Sequence, residues 1–292
     1  MWAVWCRVLT LASLVRLPQL THAVFSLAQI PVYAFDMTVA TPIVAYGVRH
    51  THAAAGVMVT ASHNPMADTG YKVYWGNGAQ ITAPHDENIS RHILENLEPW
   101  EDYKGVHTPA NEVDIIPAYF AAIAADLCTR PTQNSHLDDK ITYTAMHGVG
   151  DAYARQSFSA FNLPPYVSTK SQEAPDPEFP TVEFPNPEEG KGALEEAMRA
   201  AEANASRVII ANDPDADRLA VAERSLDGEW RLFTGNEIGA VLGHWQWRKG
   251  VEKDKSNMAM VSACPRTLCE QMRCSVWCER VRRMADRERS IR

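Results

Sequence analysis

Short apolar segments alternate with amphipathic ones along most of the chain, a pattern that predicts strands alternating with helices. The apolar runs predict strands over residues 30–35, 56–61, 71–75, 140–146, 207–211 and 219–223. The amphipathic segments predict helices over residues 42–50, 86–97, 116–128, 151–161 and 192–203, and from Asn236 onward. This alternation predicts an α/β fold in which helices cover mixed or parallel sheets.

The polar stretch over residues 131–139 predicts a linker between two consecutive α/β domains with mixed sheets. We therefore expect a first domain over residues 28–130 and a second over residues 131–250. The second domain contains a proline-rich stretch at residues 164–187, which predicts an extended loop with at most one short strand.

The two ends of the chain differ in character from these domains. Residues 1–27 begin with an apolar run that Arg7 and Arg16 interrupt, and no small-residue cleavage site follows it, so we expect no signal peptide. Residues 251–292 form a basic tail with eight arginines from Arg266 onward and four of the six cysteines. The cysteine spacing differs from that of zinc sites, which predicts free thiols.

Composition narrows the classes of function. With 46% hydrophobic and 22% charged residues, the chain has the profile of a soluble globular protein. Its net charge of −8 argues against the basic face that nucleic-acid binding requires. No apolar stretch reaches the roughly 20 residues of a membrane span. We expect a cytoplasmic protein with no nucleic-acid partner and no membrane partner.

The first motif that contains candidate reactive residues is Thr60–Pro65 (TASHNP), which directly follows an apolar strand. Its Asn-Pro step predicts a turn at the carboxyl edge of a sheet, where α/β enzymes hold reacting groups. Ser62 and His63 are neighbours, and in an extended chain their side chains point to opposite sides. We therefore expect that they form no catalytic Ser-His pair, and the Gly-x-Ser-x-Gly pattern of the hydrolase elbow is absent.

The second motif is Asn212–Arg218 (NDPDADR), which also follows an apolar strand. Asp213, Asp215 and Asp217 repel one another unless a cation lies between them, and ligation by oxygen alone favours Mg2+ or Ca2+. A calcium EF-hand is excluded because Arg218 stands where that loop requires glycine. An Asp-x-Asp site for nucleotide sugars, as in many glycosyltransferases, is an alternative, but it leaves the first motif unexplained.

Together, the two motifs resemble those of the α-D-phosphohexomutases. Thr60–Pro65 is similar to the active-serine signature of that family, and Asp213–Arg218 is similar to its metal-binding loop. Gly70–Lys72 lies where the family has a Gly-aromatic-Lys sequence, and Thr144–Gly150 (TAMHGVG) resembles the start of the second domain. The resemblance extends from about residue 28 to about residue 250 and is closest to the phosphopentomutase and glucose-1,6-bisphosphate synthase branch.

The resemblance implies the chemistry of the two motifs. Ser62 would carry a phosphoryl group as phosphoserine and donate it to a free hydroxyl of a sugar monophosphate. The resulting bisphosphate would turn around in the site and return its other phosphate to Ser62. Asp213, Asp215 and Asp217 would bind Mg2+ together with a phosphoserine oxygen of Ser62. The implied activity is that of a phosphoglucomutase or phosphopentomutase, an intramolecular phosphotransferase of carbohydrate metabolism.

The resemblance also implies supporting residues and ligands. Arg218 would bind substrate phosphate, Lys72 would transfer a proton or stabilise charge, and His63 would form a hydrogen bond in the serine loop. The implied substrates are glucose 1-phosphate, ribose 1-phosphate and deoxyribose 1-phosphate. Glucose 1,6-bisphosphate, or a related bisphosphate, would be the phosphorylating activator.

The sequence departs from the family in its length. Family members have four domains, and sequences typical of the third and fourth are missing after about residue 250. We therefore expect a chain with two of the four domains. Two functions stay open: a phosphosugar mutase, which is an isomerase, or a truncated, non-catalytic fragment that binds or regulates a partner or has no function.

Overall fold

The computed structural model describes residues 3–7, 16–64, 68, 70–98, 115–188 and 191–252. In the first half of the chain the elements are β1 (Ala3–Arg7), α1 (Arg16–Leu27), β2 (Val32–Thr38), α2 (Thr41–His50), β3 (Ala55–Val59), β4 (Tyr71–Trp75), α3 (His85–Glu95), α4 (Ile115–Leu127) and α5 (Pro131–Asn134). In the second half they are β5 (Ile141–Thr144), α6 (Gly150–Ala160), β6 (Val167–Ser168), α7 (Glu195–Ala203), β7 (Val208–Asn212), β8 (Leu219–Arg224), β9 (Trp230–Leu232) and α8 (Gly235–Glu252). Both sheets lie in a compact unit that ends at Ile238, and a second unit begins at Gly239.

Two mixed sheets form the framework of the fold. The first has the strand order β2-β1-β3-β4, in which β1 is parallel to β2 and β3 whereas β4 is antiparallel to β3. The second has the order β6-β5-β7-β8-β9, with β5 parallel to β6 and β7 and with β8 and β9 antiparallel. The predicted fold class of two consecutive mixed-sheet α/β domains is confirmed.

Helices cover both faces of the first sheet. Helix α2 begins with Thr41 and Pro42, a residue that suits the first turn because its missing N–H needs no partner there. Ile43 and Val44 of this helix are fully buried in a core with Met58 of β3. On the opposite face, Leu17 and Phe25 of α1 pack against a buried valine cluster, Val32, Val57 and Val59.

The second sheet is covered in the same way. Ala197 and Ala201 of α7 are fully buried against strands β7 and β8, where small side chains let helix and sheet approach closely. On the other face, Phe158 of α6 packs against Tyr143 and Tyr166. Each domain therefore has three layers, α/β/α.

Residues of the second domain complete the core of the first. Val149, which directly precedes α6, is buried in the same cluster as Ile43, and Tyr153 and Ala216 pack against that cluster. The hydroxyl of Tyr153 donates a hydrogen bond to the carbonyl oxygen of Thr38 at the end of β2, at 2.9 Å. These contacts bring the carboxyl ends of β3 and β7 towards each other.

The structure differs from the sequence prediction in several elements. No strand or helix was predicted before residue 28, yet β1 lies between β2 and β3, and α1 covers the sheet. The segment 131–139, predicted as a linker, begins with the short helix α5, and β9 was not predicted. Loop 164–187 contains β6, as allowed, and a 3-10 turn at Lys170–Gln172. The predicted domain boundaries at residues 28, 131 and 251 stay predictions.

Three further predictions concern the cysteines, the basic tail and membrane spans, and the structure describes only part of the residues involved. The thiol of Cys128 is free, as predicted, and the side chains of the other cysteines lie outside the described residues. The basic tail from residue 253 onward also lies outside them. Within the ranges given above, no helix combines the length and the apolar character that crossing a bilayer requires.

Candidate active site

The serine loop leaves the end of β3 through a sharp turn. Ser62 has a φ of 55°, in the left-handed region that few residues other than glycine adopt, and its backbone N–H donates to Oγ1 of Thr60 at 2.8 Å. The loop packs against Gly70, where an added Cβ would lie 2.1 Å from the carbonyl oxygen of Thr60. Gly70 therefore lets β4 begin directly behind the loop, which brings Lys72 to the site.

The acidic loop leaves β7 through a tight turn around the carboxylate of Asp213. Oδ1 of Asp213 accepts hydrogen bonds from the backbone N–H groups of Asp217 at 3.2 Å and Arg218 at 3.0 Å. As a result, one oxygen from each of Asp213, Asp215 and Asp217 lies within 4.8 Å of the other two. The predicted convergence of the three carboxylates is what the structure shows.

The two loops meet at the hydroxyl of Ser62. Its Oγ lies 3.0 Å from Oδ2 of Asp213 and 3.1 Å from Oδ1 of Asp215, so its proton can be donated to one carboxylate at a time. The ammonium of Lys72 donates to Asp215 and Asp217, each at 2.7 Å, and to Ser62 Oγ at 3.4 Å. A serine and a lysine of the first domain thus contact the acidic loop of the second.

Burial and like charge dominate the electrostatics of the acidic loop. Both Asp213 and Asp215 are completely buried. Burial, followed by the negative charge of Asp215, raises the pKa of Asp213 to about 8. Burial alone would raise the pKa of Asp215, but its hydrogen bond with Asp213 and the ammonium of Lys72 lower it. The cluster therefore needs positive charge to ionise fully.

The donor set fits a hard divalent cation. Three carboxylate oxygens lie within 4.8 Å of one another, so one ion can contact all three, and no sulfur or nitrogen ligand is among them. Asp217 keeps 27% of its side-chain surface exposed, so an ion can enter from solvent. Ser62 Oγ already touches two of the three carboxylates, which places an oxygen attached to it within reach of the same ion.

The ring of His63 lies beside Ser62, where the family resemblance implied a hydrogen bond but the geometry of an extended chain predicted that the two side chains point apart. Its Nδ1 lies 3.2 Å from Ser62 Oγ. The prediction that the two side chains point apart is wrong because it assumed an extended chain, whereas Ser62 is left-handed. Burial, followed by the positive charge of Arg218, lowers the pKa of His63, which favours a neutral ring at neutral pH.

Arg218 contributes positive charge at the edge of the site. It directly follows Asp217 in the acidic loop, and its positive charge is one of the causes that lower the pKa of His63. Among the residues described by the structure, none forms a hydrogen bond or ion pair with that guanidinium. A planar, permanently charged donor in this position is suited to an anionic ligand.

Sequence reasoning missed one contact of the acidic loop. Thr41, the first residue of α2, donates from Oγ1 to Oδ2 of Asp215 at 2.8 Å, and its backbone N–H donates to the carbonyl oxygen of Asp215 at 2.9 Å. The available signal was the position of Thr41 at the start of a helix that directly follows a strand. That position places it at the carboxyl edge of the first sheet, the edge where Ser62 lies.

Comparison with protein families gives two matches along the chain. Residues 16–99 match the phosphoglucomutase/phosphomannomutase alpha/beta/alpha domain I, and residues 117–228 match domain II of the same family. The first match contains Ser62 and Lys72, and the second contains the acidic loop. The match from residue 16 also includes α1, which the sequence analysis placed outside the family resemblance.

Curated relatives agree with this assignment. The human phosphopentomutase is 44% identical over 254 residues, which cover 84% of this chain and 41% of the relative. The human glucose 1,6-bisphosphate synthase is 43% identical over 263 residues, covering 85% and 42%. The phosphoribomutase of Saccharomyces cerevisiae is 40% identical over 233 residues, covering 74% and 37%. The chain spans about two fifths of the length of the curated relatives it matches.

Solved structures give the same fold. A candidate phosphomannomutase from Thermus thermophilus superposes with a TM-score of 0.70 at 24% identity, covering 85% of this chain and 53% of that one. A phosphoglucomutase/phosphomannomutase family protein from Burkholderia thailandensis superposes with a TM-score of 0.57 at 22% identity, covering 78% and 47%. With both family domains matched in order and the fold shared, the chain belongs to the phosphoglucomutase/phosphomannomutase family of the α-D-phosphohexomutase superfamily.

Proposed function

We propose that this chain provides the phosphoserine and magnesium half of a phosphosugar mutase of the phosphoglucomutase/phosphopentomutase type. The observation that carries the proposal is the position of Ser62 Oγ, within hydrogen-bonding distance of Asp213, Asp215, Lys72 and His63. This arrangement suits phosphoryl transfer because that reaction depends on positioning and on neutralising the charge of the transferred group.

In the proposed reaction, phosphorylated Ser62 donates its phosphoryl group to the free hydroxyl of a sugar monophosphate, and the resulting bisphosphate turns around and returns its other phosphate to Ser62. The attacking sugar hydroxyl forms a bond to phosphorus and releases its proton to solvent, while the bond between phosphorus and Ser62 Oγ breaks. Ser62 Oγ leaves with the electron pair and takes up a proton. The ammonium of Lys72, 3.4 Å from Oγ, is the nearest charged donor, and neutral His63 is the second group in reach.

Asp213, Asp215 and Asp217 would hold Mg2+ together with an oxygen of phosphoserine at position 62, and their all-oxygen donor set supports this assignment. When bound, the ion polarises the phosphoryl group and makes Ser62 Oγ a better leaving group. Arg218, which has no described partner for its guanidinium, would bind a phosphate of the substrate.

The substrates are proposed from the names of the relatives. Phosphopentomutase and phosphoribomutase relatives support pentose phosphates such as ribose 1-phosphate and deoxyribose 1-phosphate. Glucose 1,6-bisphosphate synthase relatives support glucose 1-phosphate as a substrate and glucose 1,6-bisphosphate as the priming phosphoryl donor. A cytoplasmic location is proposed as well.

The test uses the full chain with glucose 1,6-bisphosphate and Mg2+. Intact-mass spectrometry measures phosphorylation of the protein, and a coupled assay measures conversion of glucose 1-phosphate and ribose 1-phosphate. Ser62→Ala is the informative variant, and Ser159→Ala, on the surface of α6, is the matched control. We expect magnesium-dependent phosphorylation that is lost in Ser62→Ala and retained in Ser159→Ala.

The outcomes separate the two functions that the sequence leaves open. Conversion of a sugar phosphate that depends on Ser62 supports mutase activity in this chain and identifies the preferred sugar. Phosphorylation of Ser62 without conversion supports the half-site alone. A folded protein that shows neither contradicts the proposal and favours a non-catalytic binding role, which a complex with a longer relative would then support.

A further inference from the structure

We propose that Thr41 is a positioning residue that orients the carboxylate of Asp215 for the divalent cation, an inference that rests on the proposed function. Thr41 belongs to the first domain and Asp215 to the second, 174 residues later in the chain. Thr41 contacts no reacting atom, so it would act through Asp215.

The contacts of Thr41 distinguish the two oxygens of the Asp215 carboxylate. Oδ2 accepts hydrogen bonds from Oγ1 of Thr41 at 2.8 Å and from the ammonium of Lys72 at 2.7 Å. Oδ1 lies 3.1 Å from Ser62 Oγ and faces the serine loop. With Oδ2 occupied by two protein donors, Oδ1 is the oxygen left for an ion that also binds an oxygen on Ser62. Thr41 thereby selects ligation through one oxygen.

The second hydrogen bond of Thr41 fixes the position of the acidic loop. Its backbone N–H donates to the carbonyl oxygen of Asp215 at 2.9 Å, so main chain and side chain of the same aspartate are held by one residue. Thr41 is 2% exposed and Asp215 is 0% exposed, so water does not compete for either bond. Hydrogen bonds to metal-binding carboxylates matter because removing them typically weakens metal binding roughly 10- to 100-fold.

Substitution of Thr41 by valine removes the hydroxyl and keeps the branched shape and the backbone N–H. Thr41→Ser restores the hydroxyl. Thr142→Val is the matched control, because Thr142 is equally buried and its Oγ1 donates to Ser206 Oγ at 2.9 Å, a contact that includes no residue of the acidic loop. Thr41→Ala replaces the valine variant if that variant does not fold.

The experiment titrates the full chain with Mn2+, a paramagnetic substitute for Mg2+, and measures free and bound ion by electron paramagnetic resonance. We expect Thr41→Val to bind Mn2+ roughly 10-fold more weakly than wild type, Thr41→Ser to recover the wild-type affinity, and Thr142→Val to retain it. Urea unfolding without metal checks the fold, since a residue with a purely structural role would change that midpoint and not the affinity of the folded protein.

The possible results distinguish a failure of the role proposed for Thr41 from a failure of the proposed cation site. If wild type binds Mn2+, Asp213→Asn weakens that binding, and Thr41→Val binds as tightly as wild type, the role of Thr41 is wrong while the proposed site stands. If wild type binds no Mn2+, or Asp213→Asn leaves binding unchanged, the proposed cation site is overturned and the role of Thr41 with it.

Discussion

The positively charged side chain of Lys72 directly contacts carboxylates of the acidic loop. Its ammonium lies 2.7 Å from a carboxylate oxygen of Asp215 and 2.7 Å from one of Asp217, and its side chain is only 18% exposed. Burial alone would lower the pKa of Lys72, but hydrogen bonds and charge from these two aspartates raise it. The lysine is therefore charged, and it stabilises carboxylates that would otherwise repel one another.

The first prediction concerns this ammonium. Lys72→Met keeps most of the aliphatic side chain but leaves the buried carboxylate of Asp215 without its cation, so we expect the free energy of unfolding to fall by roughly 1–3 kcal/mol. Urea unfolding with and without Mg2+ measures this change. Added Mg2+ should raise the midpoint of Lys72→Met by more than that of wild type, because the ion then no longer competes with an ammonium.

Lys170→Met is the control for that prediction. Lys170 pairs with Glu173 on the surface, where its side chain is 77% exposed, and exposed pairs contribute about 0–1 kcal/mol. A Lys72→Met protein as stable as wild type, or one that responds to Mg2+ no more strongly, would contradict the role of Lys72 as an internal counterion.

At the residue scale, the sequence identified groups but not their orientation. The three aspartates were predicted from spacing and charge, and Ser62 and Lys72 from the family resemblance. The structure brings all of them within contact distance. The resemblance implied a hydrogen bond of His63 in the serine loop, but its geometry could not be predicted because it depends on a left-handed residue that is not glycine. The contact between Thr41 and Asp215 depends on how two domains pack, which no local pattern encodes.

At the scale of secondary-structure elements, the turn between β5 and α6 supports the acidic loop. A Cβ added to Gly148 would lie 2.2 Å from Cα of Pro214 and 2.3 Å from its carbonyl oxygen, so only glycine fits there without displacing backbone. The next residue, Val149, donates its N–H to that same carbonyl oxygen at 2.9 Å. The glycine-rich turn is thus explained by packing against Pro214.

The second prediction tests this support. Gly148→Ala forces the backbone of Pro214 to move, so we expect a loss of roughly 1–3 kcal/mol in the free energy of unfolding. We also expect weaker Mn2+ binding, because Pro214 separates Asp213 from Asp215. Gly192→Ala is the matched control, since no atom would lie within 4 Å of the new Cβ, and a surface change of this kind stays within about 0.5 kcal/mol.

Wild-type metal affinity in Gly148→Ala would show that the turn supports the fold without positioning the acidic loop. Thermal unfolding and the Mn2+ titration together distinguish these cases. The control variant Gly192→Ala must keep the wild-type stability and the wild-type Mn2+ affinity for the comparison to hold.

The strands that were not predicted from the sequence were missed for different physical reasons. Strand β1 lies in an apolar N-terminal run that also fits a helix or a leader, so periodicity could not assign it. Strand β9 has three residues, too few for a pattern. Helix α3 was predicted as amphipathic, yet its apolar residue Ile93 is 60% exposed. Amphipathic spacing predicts a helix but does not predict which element packs against its apolar face. Regular elements such as β4 were predicted at the observed residues.

At the scale of the whole molecule, the site depends on a core that both domains share. Ser62 follows a strand of the first sheet, and the three aspartates follow a strand of the second. The distances between Ser62 and the aspartates therefore depend on how the two domains pack against each other. Val149 is 4% exposed in the core of the first domain, and Tyr153 bonds to Thr38 at the end of β2. We infer that the two domains unfold together.

The third prediction tests this cooperativity with Val149→Ala. Deleting two buried methyl groups should lower the free energy of unfolding by about 1–2 kcal/mol. This change corresponds to roughly 5–30-fold faster exchange of the amides that exchange by global unfolding. Hydrogen exchange followed by mass spectrometry should show the same factor in β3 and in β7, because opening the shared core exposes both sheets. Val24→Ala, at a position that is 46% exposed on α1, should leave both rates unchanged.

Faster exchange confined to β5, α6 and β7 would mean that the second domain opens by itself. In that case the separation between Ser62 and the aspartates would vary in the folded protein, and the cation, rather than the shared core, would have to hold the two loops together.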